Sequence, residues 1–202
     1  MNARFTPSRQ EDLSLITGKG HFTADHKYPG MLHAYVIRSM HAHAHIKHLN
    51  LEAVRAYPGV RWVVSADDLK ALGAGTIVNP ITAKGKGGEE QALALMPILA
   101  EGTVRFVGQP IAMVFADSAL CAQDAAELAE IDYEVLEASV DPEQTTLPTA
   151  VQLHGNAPRN VSVHFASGDA EPVNAAFAKA SFTSQLRVFS QRLMGVPMEP
   201  RA

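Results

Sequence analysis

The sequence contains little cysteine, few aromatic residues and no long apolar run. Its one cysteine, Cys121, cannot form an internal disulfide or supply several thiolates to a zinc or iron–sulfur site. A chain without disulfides is typical of a reducing compartment, so we expect a cytoplasmic protein. No apolar run approaches the ~20 residues of a membrane span, and residues 1–20 lack the apolar stretch of a signal peptide. We therefore expect no membrane association.

Excess positive charge is absent as well. The 17 Lys and Arg residues are outnumbered by 21 Asp and Glu residues, and the formal net charge is −4. A nucleic-acid-binding protein needs clustered cations that neutralise phosphates, so we expect no nucleic-acid partner. The 47% hydrophobic and 19% charged residues are the composition of a globular protein, and 202 residues are enough to bury a core.

Residue patterns predict short strands and helices. Apolar and β-branched segments predict strands at 31–38, 41–49, 60–64, 111–116, 131–135 and 182–189. Helices are predicted at 51–57, 66–72, 118–130 and 173–180, and the expected N-caps are Asn50, Ser65 and either Asp117 or Ser118. The run at 111–116 is continuous, which predicts a strand covered on both faces. The glycine- and proline-rich residues 73–100 show little periodicity and are predicted to be irregular.

Three alternate histidines form the first candidate site. If residues 41–49 are a strand, His41, His43 and His45 project from one face at intervals of ~7 Å. Two imidazoles at this spacing can share a metal ion, but three in a row close a tetrahedral site only with a ligand from elsewhere. The residues favour a polar strand face whose alanines pack inward. A stand-alone metal or small-ligand binding protein that uses these histidines is the alternative.

Other familiar binding and catalytic motifs are incomplete. Residues 17–20 (TGKG) resemble the end of a phosphate loop, but Leu13 stands where its first glycine should be. Residues 85–88 (GKGG) have no strand before them, so they lack the context of an anion-binding loop. Cys121 lies in an alanine-rich helix, where a buried and inert thiol is expected. From the residues themselves we assign no catalytic, cofactor-binding or metal-binding residue in this chain.

Several short phrases nevertheless occur together in a specific order and spacing. They are 29–34 (PGMLHA), 38–46 (RSMHAHAHI), 58–60 (PGV), 104–112 (VRFVGQPIA), 124–128 (DAAEL), 132–134 (DYE) and 197–201 (PMEPR). Over about residues 9–202 the chain resembles the opening of the large subunits of molybdenum hydroxylases, the family of xanthine dehydrogenase, aldehyde oxidase and carbon monoxide dehydrogenase. The departures are small: Met40 occupies a place that is usually proline, and His45 one that is often arginine.

The resemblance implies an α+β fold, namely an α/β hammerhead-like domain with a layered mixed sheet and short packing helices. We expect an irregular N-terminal arm over 1–24, the hammerhead-type domain over 25–140, and a linker with the start of the following molybdopterin-binding region over 141–202. The positions that match the family are expected to serve in turns, strand pairing and docking rather than in catalysis. These are Arg38, His41, His43, Gly108, Gln109 and Glu199.

The family's activity is implied only for a complete enzyme. Such an enzyme inserts a water-derived oxygen at a C–H bond of an aldehyde or N-heterocycle, or oxidises carbon monoxide, at a molybdenum ion held by a pterin. Its electrons pass through iron–sulfur clusters, often to FAD. The pterin-holding segments and the glutamate base of the family lie beyond the matched stretch, so this chain alone is expected to hold no cofactor.

The expected partners follow from the same resemblance. They are the remaining molybdopterin-binding part of the large subunit, an iron–sulfur subunit and an FAD subunit. The chain is thus expected to be a structural or assembly domain, or a split subunit, of an oxidoreductase. An adaptor that assists assembly of a molybdenum enzyme without belonging to it is a further alternative.

Overall fold

The computed structural model describes residues 9–74, 76–77, 82–191, 193 and 195–196. The chain divides into two units. The smaller unit comprises Met1–Met31 and Ala180–Ala202, and it contains the short helix α1 (Asp12–Ile16). The larger unit, Leu32–Lys179, contains the other α-helices and the strands. No helix in the described ranges is long and apolar enough to cross a membrane.

Short strands and helices alternate through most of the larger unit. Its helices are α2 (Glu52–Ala56), α3 (Ala66–Ala71), α4 (Ala119–Ala126) and α5 (Ala170–Lys179). Its strands are β1 (His33–Arg38), β2 (Ala44–Asn50), β3 (Val60–Ser65), β4 (Thr76–Ile77), β5 (Met96–Pro97), β6 (Thr103–Val104), β7 (Pro110–Ala116) and β8 (Glu130–Val135). The described part of 73–100 contains the two-residue strands β4 and β5, an isolated bridge between Lys84 and Glu90 and a 3-10 turn at Lys86–Gly88, in line with the predicted irregular segment.

β7 is the central strand of the first sheet. It pairs antiparallel with β1 and with β3, so that Val114 lies opposite both Tyr35 and Val63. Ile111 and Ala112 are both buried, which means that both faces are covered at the start of the strand. Further along, Val114 is buried but Phe115 is only half-buried. The predicted double coverage is therefore confirmed for the first half of β7 and wrong for the second.

Two clusters of buried side chains form the core of the larger unit. The first packs α2 and α4 against the first sheet and consists of Ile37, Leu51, Val54, Ala112, Val114, Ala125 and Ala126. The second lies where β7 meets the other sheet and consists of Ala44, Ala100, Val104 and Ile111. Leu49 and Ile131, from β2 and β8, pack against both clusters. The second sheet, in the order β6-β2-β8, is thereby joined to the first.

Two of the predicted helix caps, Ser65 and Ser118, are present. The predicted Asn50 cap of α2 is wrong by one residue, because the N-cap is Leu51, although the Asn50 side-chain oxygen accepts a hydrogen bond from the Glu52 amide at 3.0 Å. The Ser65 hydroxyl accepts a hydrogen bond from the Asp68 amide at 3.3 Å, and the Asp68 carboxylate accepts one from the Ser65 amide at 2.8 Å. The Ser118 hydroxyl accepts from the Cys121 amide at 3.2 Å. These caps satisfy amides that the first helical turn leaves without partners. α4 ends at Ala126 rather than at residue 130, because Glu130 already pairs with Asn50 at the start of β8.

The α+β hammerhead-like fold class agrees with this architecture, but two details of the prediction are wrong. Strand pairing among the described residues is antiparallel throughout, so two three-stranded sheets and the β4–β5 ribbon replace a mixed sheet. Residues 182–189 form no strand, and Phe182 and Leu186 are 82% and 85% exposed. Alternation supplies only a propensity, since a strand also needs a neighbouring backbone to complete its hydrogen bonds.

Gly59 lies in the turn between α2 and β3, and this turn packs against the start of α4. Its φ is +90°, and a Cβ atom built there would lie 2.9 Å from the Cys121 sulfur. The Gly59 carbonyl accepts a hydrogen bond from the Asp117 amide at 3.0 Å, and the Cys121 thiol donates to the Pro58 carbonyl at 3.2 Å. Both the backbone angle and the close approach therefore require glycine.

We predict that Gly59→Ala lowers the free energy of unfolding more than Gly73→Ala does. Gly73 also has a positive φ, of +72°, but a Cβ there meets nothing within 4 Å. The angle alone costs about 1–2 kcal/mol at either position, and the clash at Gly59 adds about 1–3 kcal/mol. Urea unfolding of both variants measures the difference.

A double-mutant cycle isolates the contact with the sulfur. Cys121→Ala should recover part of the loss in Gly59→Ala and none of the loss in Gly73→Ala. Equal losses at the two glycines, with no coupling to Cys121, would show that the close approach has no energetic consequence.

Candidate functional site

The candidate site is a hydrogen-bonded polar junction between the end of β1 and the loop that leads into β7. It consists of Arg38 and Ser39 on one side and Gly108 and Gln109 on the other. The Ser39 amide donates to the Gln109 carbonyl at 2.9 Å, and the Gly108 amide donates to the Ser39 carbonyl at 2.8 Å. The Arg38 guanidinium donates to the Gly108 carbonyl at 2.9 Å. Gly108 has a φ of +85°, so glycine supplies a backbone angle that other residues rarely adopt.

The Gln109 side chain is buried and is used within the junction. It is 3% exposed, and its carboxamide oxygen accepts a hydrogen bond from the Arg105 amide at 2.7 Å. The Arg105 guanidinium in turn donates to the Leu153 carbonyl at 2.8 Å. The side chain of Gln109 therefore holds the turn that precedes β7, which is a structural role of the kind expected for residues 108–110.

The three candidate histidines do not share one strand face. β2 begins at Ala44, so His41 and His43 precede the strand and only His45 belongs to it. The predicted strand start at residue 41 is thus wrong, since Ser39 instead ties the chain back on itself by accepting from the His41 amide at 3.0 Å and donating to its carbonyl at 2.9 Å. In the described ranges no group of three or more His, Cys, Asp and Glu side chains is arranged to hold a metal ion.

Each of these imidazoles has its own local contact. His43 is 6% exposed, and its Nδ1 donates to the Glu137 carbonyl at 2.7 Å. His45 Nδ1 lies 3.0 Å from the Thr103 hydroxyl oxygen. The His41 ring meets the Tyr133 ring edge-on, with 4.8 Å between centroids. The contacts of His43 hold β2 next to the chain that follows β8, which is a packing role.

Tyr133 is the partly buried titratable group next to the junction. Burial raises the pKa of its hydroxyl, and a hydrogen bond with the Ser39 hydroxyl lowers that pKa in part. Ser39 is itself only 3% exposed. Within the described ranges, no buried side-chain nitrogen or oxygen lacks a hydrogen-bond partner. These polar side chains are therefore engaged with one another rather than directed at an open cavity.

The glycine-containing segments also use their amides internally. In the segment 85–88, the Lys86 amide donates to the His164 carbonyl at 2.7 Å and the Gly88 amide donates to the Gly85 carbonyl at 3.0 Å. In the segment 17–20, the Lys19 amide donates to the Ser14 carbonyl at 2.8 Å. A phosphate-binding loop needs several amides that point at one anion. Neither segment presents that arrangement.

Sequence reasoning missed Asn160, whose side chain makes three hydrogen bonds to backbone groups. Its Nδ2 donates to the carbonyls of Thr145 and Val151 at 3.0 and 2.8 Å, and its Oδ1 accepts from the Leu153 amide at 2.7 Å. Its φ is +56°, a left-handed angle that asparagine tolerates better than most residues. An asparagine in a loop was the only available signal, because all three partners are set by the tertiary fold.

Comparison with known proteins identifies the family to which this fold corresponds. Residues 17–137 match the family described as aldehyde oxidase and xanthine dehydrogenase, a/b hammerhead domain. The chain belongs to this family.

Relatives of the hammerhead chain match it along nearly its whole length. It is 34% identical over 198 residues to the 6-hydroxypseudooxynicotine dehydrogenase complex subunit gamma of Paenarthrobacter nicotinovorans, over 96% of this chain and 24% of that protein. It is 36% identical over 203 residues to the carbon monoxide dehydrogenase large chain of Afipia carboxidovorans, over 95% of this chain and 24% of that protein.

A solved structure shows the same fold. A crystal structure of a Cu,Mo-carbon monoxide dehydrogenase in its carbon monoxide reduced state superimposes with a TM-score of 0.71 and 35% identity, over 87% of this chain and 22% of that one. The hammerhead chain thus spans about a quarter of the relatives that it matches.

We predict that His43→Ala destabilises the chain without changing its response to zinc. Loss of the imidazole leaves the Glu137 carbonyl without its donor and opens a small cavity, so the free energy of unfolding should fall by about 1–3 kcal/mol. The more exposed His45→Ala is the matched control and should change the free energy of unfolding by about 0.5 kcal/mol or less. Urea unfolding and calorimetric titration with zinc provide the two measurements. A tight single-site zinc isotherm that His43→Ala abolishes would restore the metal-binding hypothesis.

We also predict that His154 makes the stability of the chain dependent on pH. Burial, followed by the positive charge of Arg105, lowers the pKa of His154 below its ordinary value of 6.5. The unfolded chain then binds the proton more tightly, so the stability present above pH 6.5 is lost as the pH falls through the pKa of the folded state. When the pH is lowered from about 8 to 5, the unfolding free energy of His154→Gln should decrease less steeply than that of the wild-type chain. Identical slopes would contradict this assignment.

Proposed function

We propose that this chain is a structural and assembly domain, or a split subunit, of a molybdenum-dependent oxidoreductase. The complete enzyme would hydroxylate an aldehyde or an N-heterocycle, or oxidise carbon monoxide. The observation that carries the proposal is that the chain matches about a quarter of a dehydrogenase subunit at 34% and 36% identity. The engaged polar side chains of the junction support a scaffold rather than a reaction centre.

The described residues are proposed to serve as a scaffold and not to hold the molybdenum–pterin cofactor. They provide no metal-binding cluster and no unpartnered buried side-chain nitrogen or oxygen. The amides of Lys86 and Gly88, in the more glycine-rich segment, are occupied by carbonyls of this chain. We therefore assign the molybdenum cofactor, the iron–sulfur clusters and FAD to the partner parts of the enzyme, and no catalytic residue to this chain.

The domain boundaries and partners form the finer part of the proposal. Residues 25–140 would be the hammerhead-type domain, 1–24 an arm, and 141–202 the linker and the start of the molybdopterin-binding region. The partners would be the rest of the large subunit, an iron–sulfur subunit and an FAD subunit. The reaction would take place in the cytoplasm. The match over residues 17–137 supports the central boundary pair.

We predict that the purified 202-residue chain carries no stoichiometric molybdenum and oxidises no aldehyde, because the proposal assigns the cofactor to other parts of the enzyme. Metal analysis and an aldehyde-dependent dye-reduction assay measure the two properties. Co-expression with the cofactor-binding part of the large subunit from the same organism should give a complex that passes through size exclusion in a fixed ratio. Stoichiometric molybdenum in the isolated chain would overturn the proposal.

The same co-expression separates the rival functions. An assembly adaptor would leave the mature enzyme, so the chain would be absent from the active fraction. A stand-alone metal-binding protein would neither join the complex nor lose zinc affinity on mixing.

A further inference from the structure

Residues 153–164, between β8 and α5, lie against the irregular segment 83–93. Three residues of the first stretch hydrogen-bond to the second, namely Asn156, Ser162 and His164. The Asn156 Nδ2 donates to the Leu93 carbonyl at 2.7 Å. The His164 carbonyl accepts from the Lys86 amide, also at 2.7 Å. The contact therefore extends over most of both stretches.

Ser162 makes the central contact between the two stretches. Its hydroxyl donates to the Ala92 carbonyl at 2.7 Å, and its carbonyl accepts from the Ala92 amide at 2.8 Å. The same hydroxyl accepts from the Gln91 Nε2 at 3.2 Å, while the Gln91 Oε1 accepts from the Ala83 amide at 2.9 Å. One serine thus binds both the backbone of the segment and the side chain that ties its two ends together.

Asn160 holds residues 153–164 in shape from a position outside this contact. Its side chain bonds to backbone groups of Thr145, Val151 and Leu153, none of which belongs to the segment 83–93. These bonds fix the stretch on the side away from the segment. A change at Asn160 therefore reaches the segment through the intervening backbone and not through a lost direct bond.

Hydrogen bonds rather than apolar packing join the two stretches. Among residues 83–93 and 153–164 only Ala157 is buried, and neither of the two core clusters takes a side chain from them. Regions with few buried apolar contacts open at a lower free-energy cost than the core of a protein. The two stretches can therefore open while the sheets stay folded.

We propose that residues 153–164 are a strap that fixes the segment 83–93, and that strap and segment open and close as one cooperative unit. The family match ends at residue 137, so a loop inside the matched span takes its conformation from residues beyond it. The inference goes beyond the proposed function and refines its boundary, since the linker would begin after residue 164 rather than at residue 141. The strap thereby couples the segment to the chain that leads into α5.

The test compares amide hydrogen exchange in the full 202-residue chain and in three variants of it. Ser162→Ala removes both hydroxyl bonds to the segment. Asn160→Asp keeps the size and the tolerance of a left-handed backbone angle, but it replaces the two donated protons by an acceptor oxygen. Ser167→Ala, at an exposed serine beyond the strap, is the matched control. In the first two variants the amides of Lys86 and Ala92 should exchange at least about fivefold faster, and in the control within about twofold of the wild type.

The amides of β7 are the internal reference and should keep their wild-type exchange rates in all three variants. Faster exchange at Ala92 alone would show separate local contacts and would overturn the cooperative unit. An unchanged rate at Lys86 in Asn160→Asp would do the same, because the strap would then transmit nothing. Equal acceleration in β7 would show that the segment opens only together with the core, which also contradicts the proposal. The proposed function is tested separately, by the co-expression described above.

Discussion

Burial of β7 between two neighbouring strands, with both of its faces covered over the first half, is the constraint on which the larger unit depends. The strand supplies Ala112 and Val114 to one buried cluster and Ile111 to the other. If β7 slipped by one residue against its neighbouring strands, its buried and exposed faces would be exchanged. The register of its pairing therefore has to be fixed. The junction of Ser39 with Gly108 and Gln109 lies at the start of β7, where two backbone hydrogen bonds tie the chain after β1 to the residues before β7. The buried Gln109 carboxamide also holds the turn before β7 by accepting from the Arg105 amide.

The elements that could be predicted from the sequence are those whose cause is local. The apolar run at 111–116 predicts β7, and Ser65 and Ser118 predict the starts of α3 and α4, because a cap or a run acts within a few residues. Residues 182–189 have the pattern of a strand but no partner among the described residues, and pairing cannot be read from a segment alone. Asn160 is the same case for side chains, since its three bonding partners come together only in the folded chain.

The candidate site illustrates the same limit in chemical terms. A strand beginning at residue 41 would have aligned His41, His43 and His45, and the metal hypothesis depended on that alignment. The Ser39 hydroxyl binds both the amide and the carbonyl of His41 instead, and the chain enters β2 only at Ala44. One short polar side chain thus separates the imidazoles. The expectation that no catalytic motif is complete stays a prediction, and it rests directly on residue type and spacing.

The distribution of exposed apolar side chains connects the fold with the proposed role. In the first sheet, Val63 and Val114 lie against the helices, so that face is closed by the chain itself. On α5, Val173 and Phe177 stay more than half exposed although the helix is well specified by its cap, its proline and its alanines. A helix of ten residues is marginal in water without burial, so local signals specify this helix but the described residues add little packing to stabilise it.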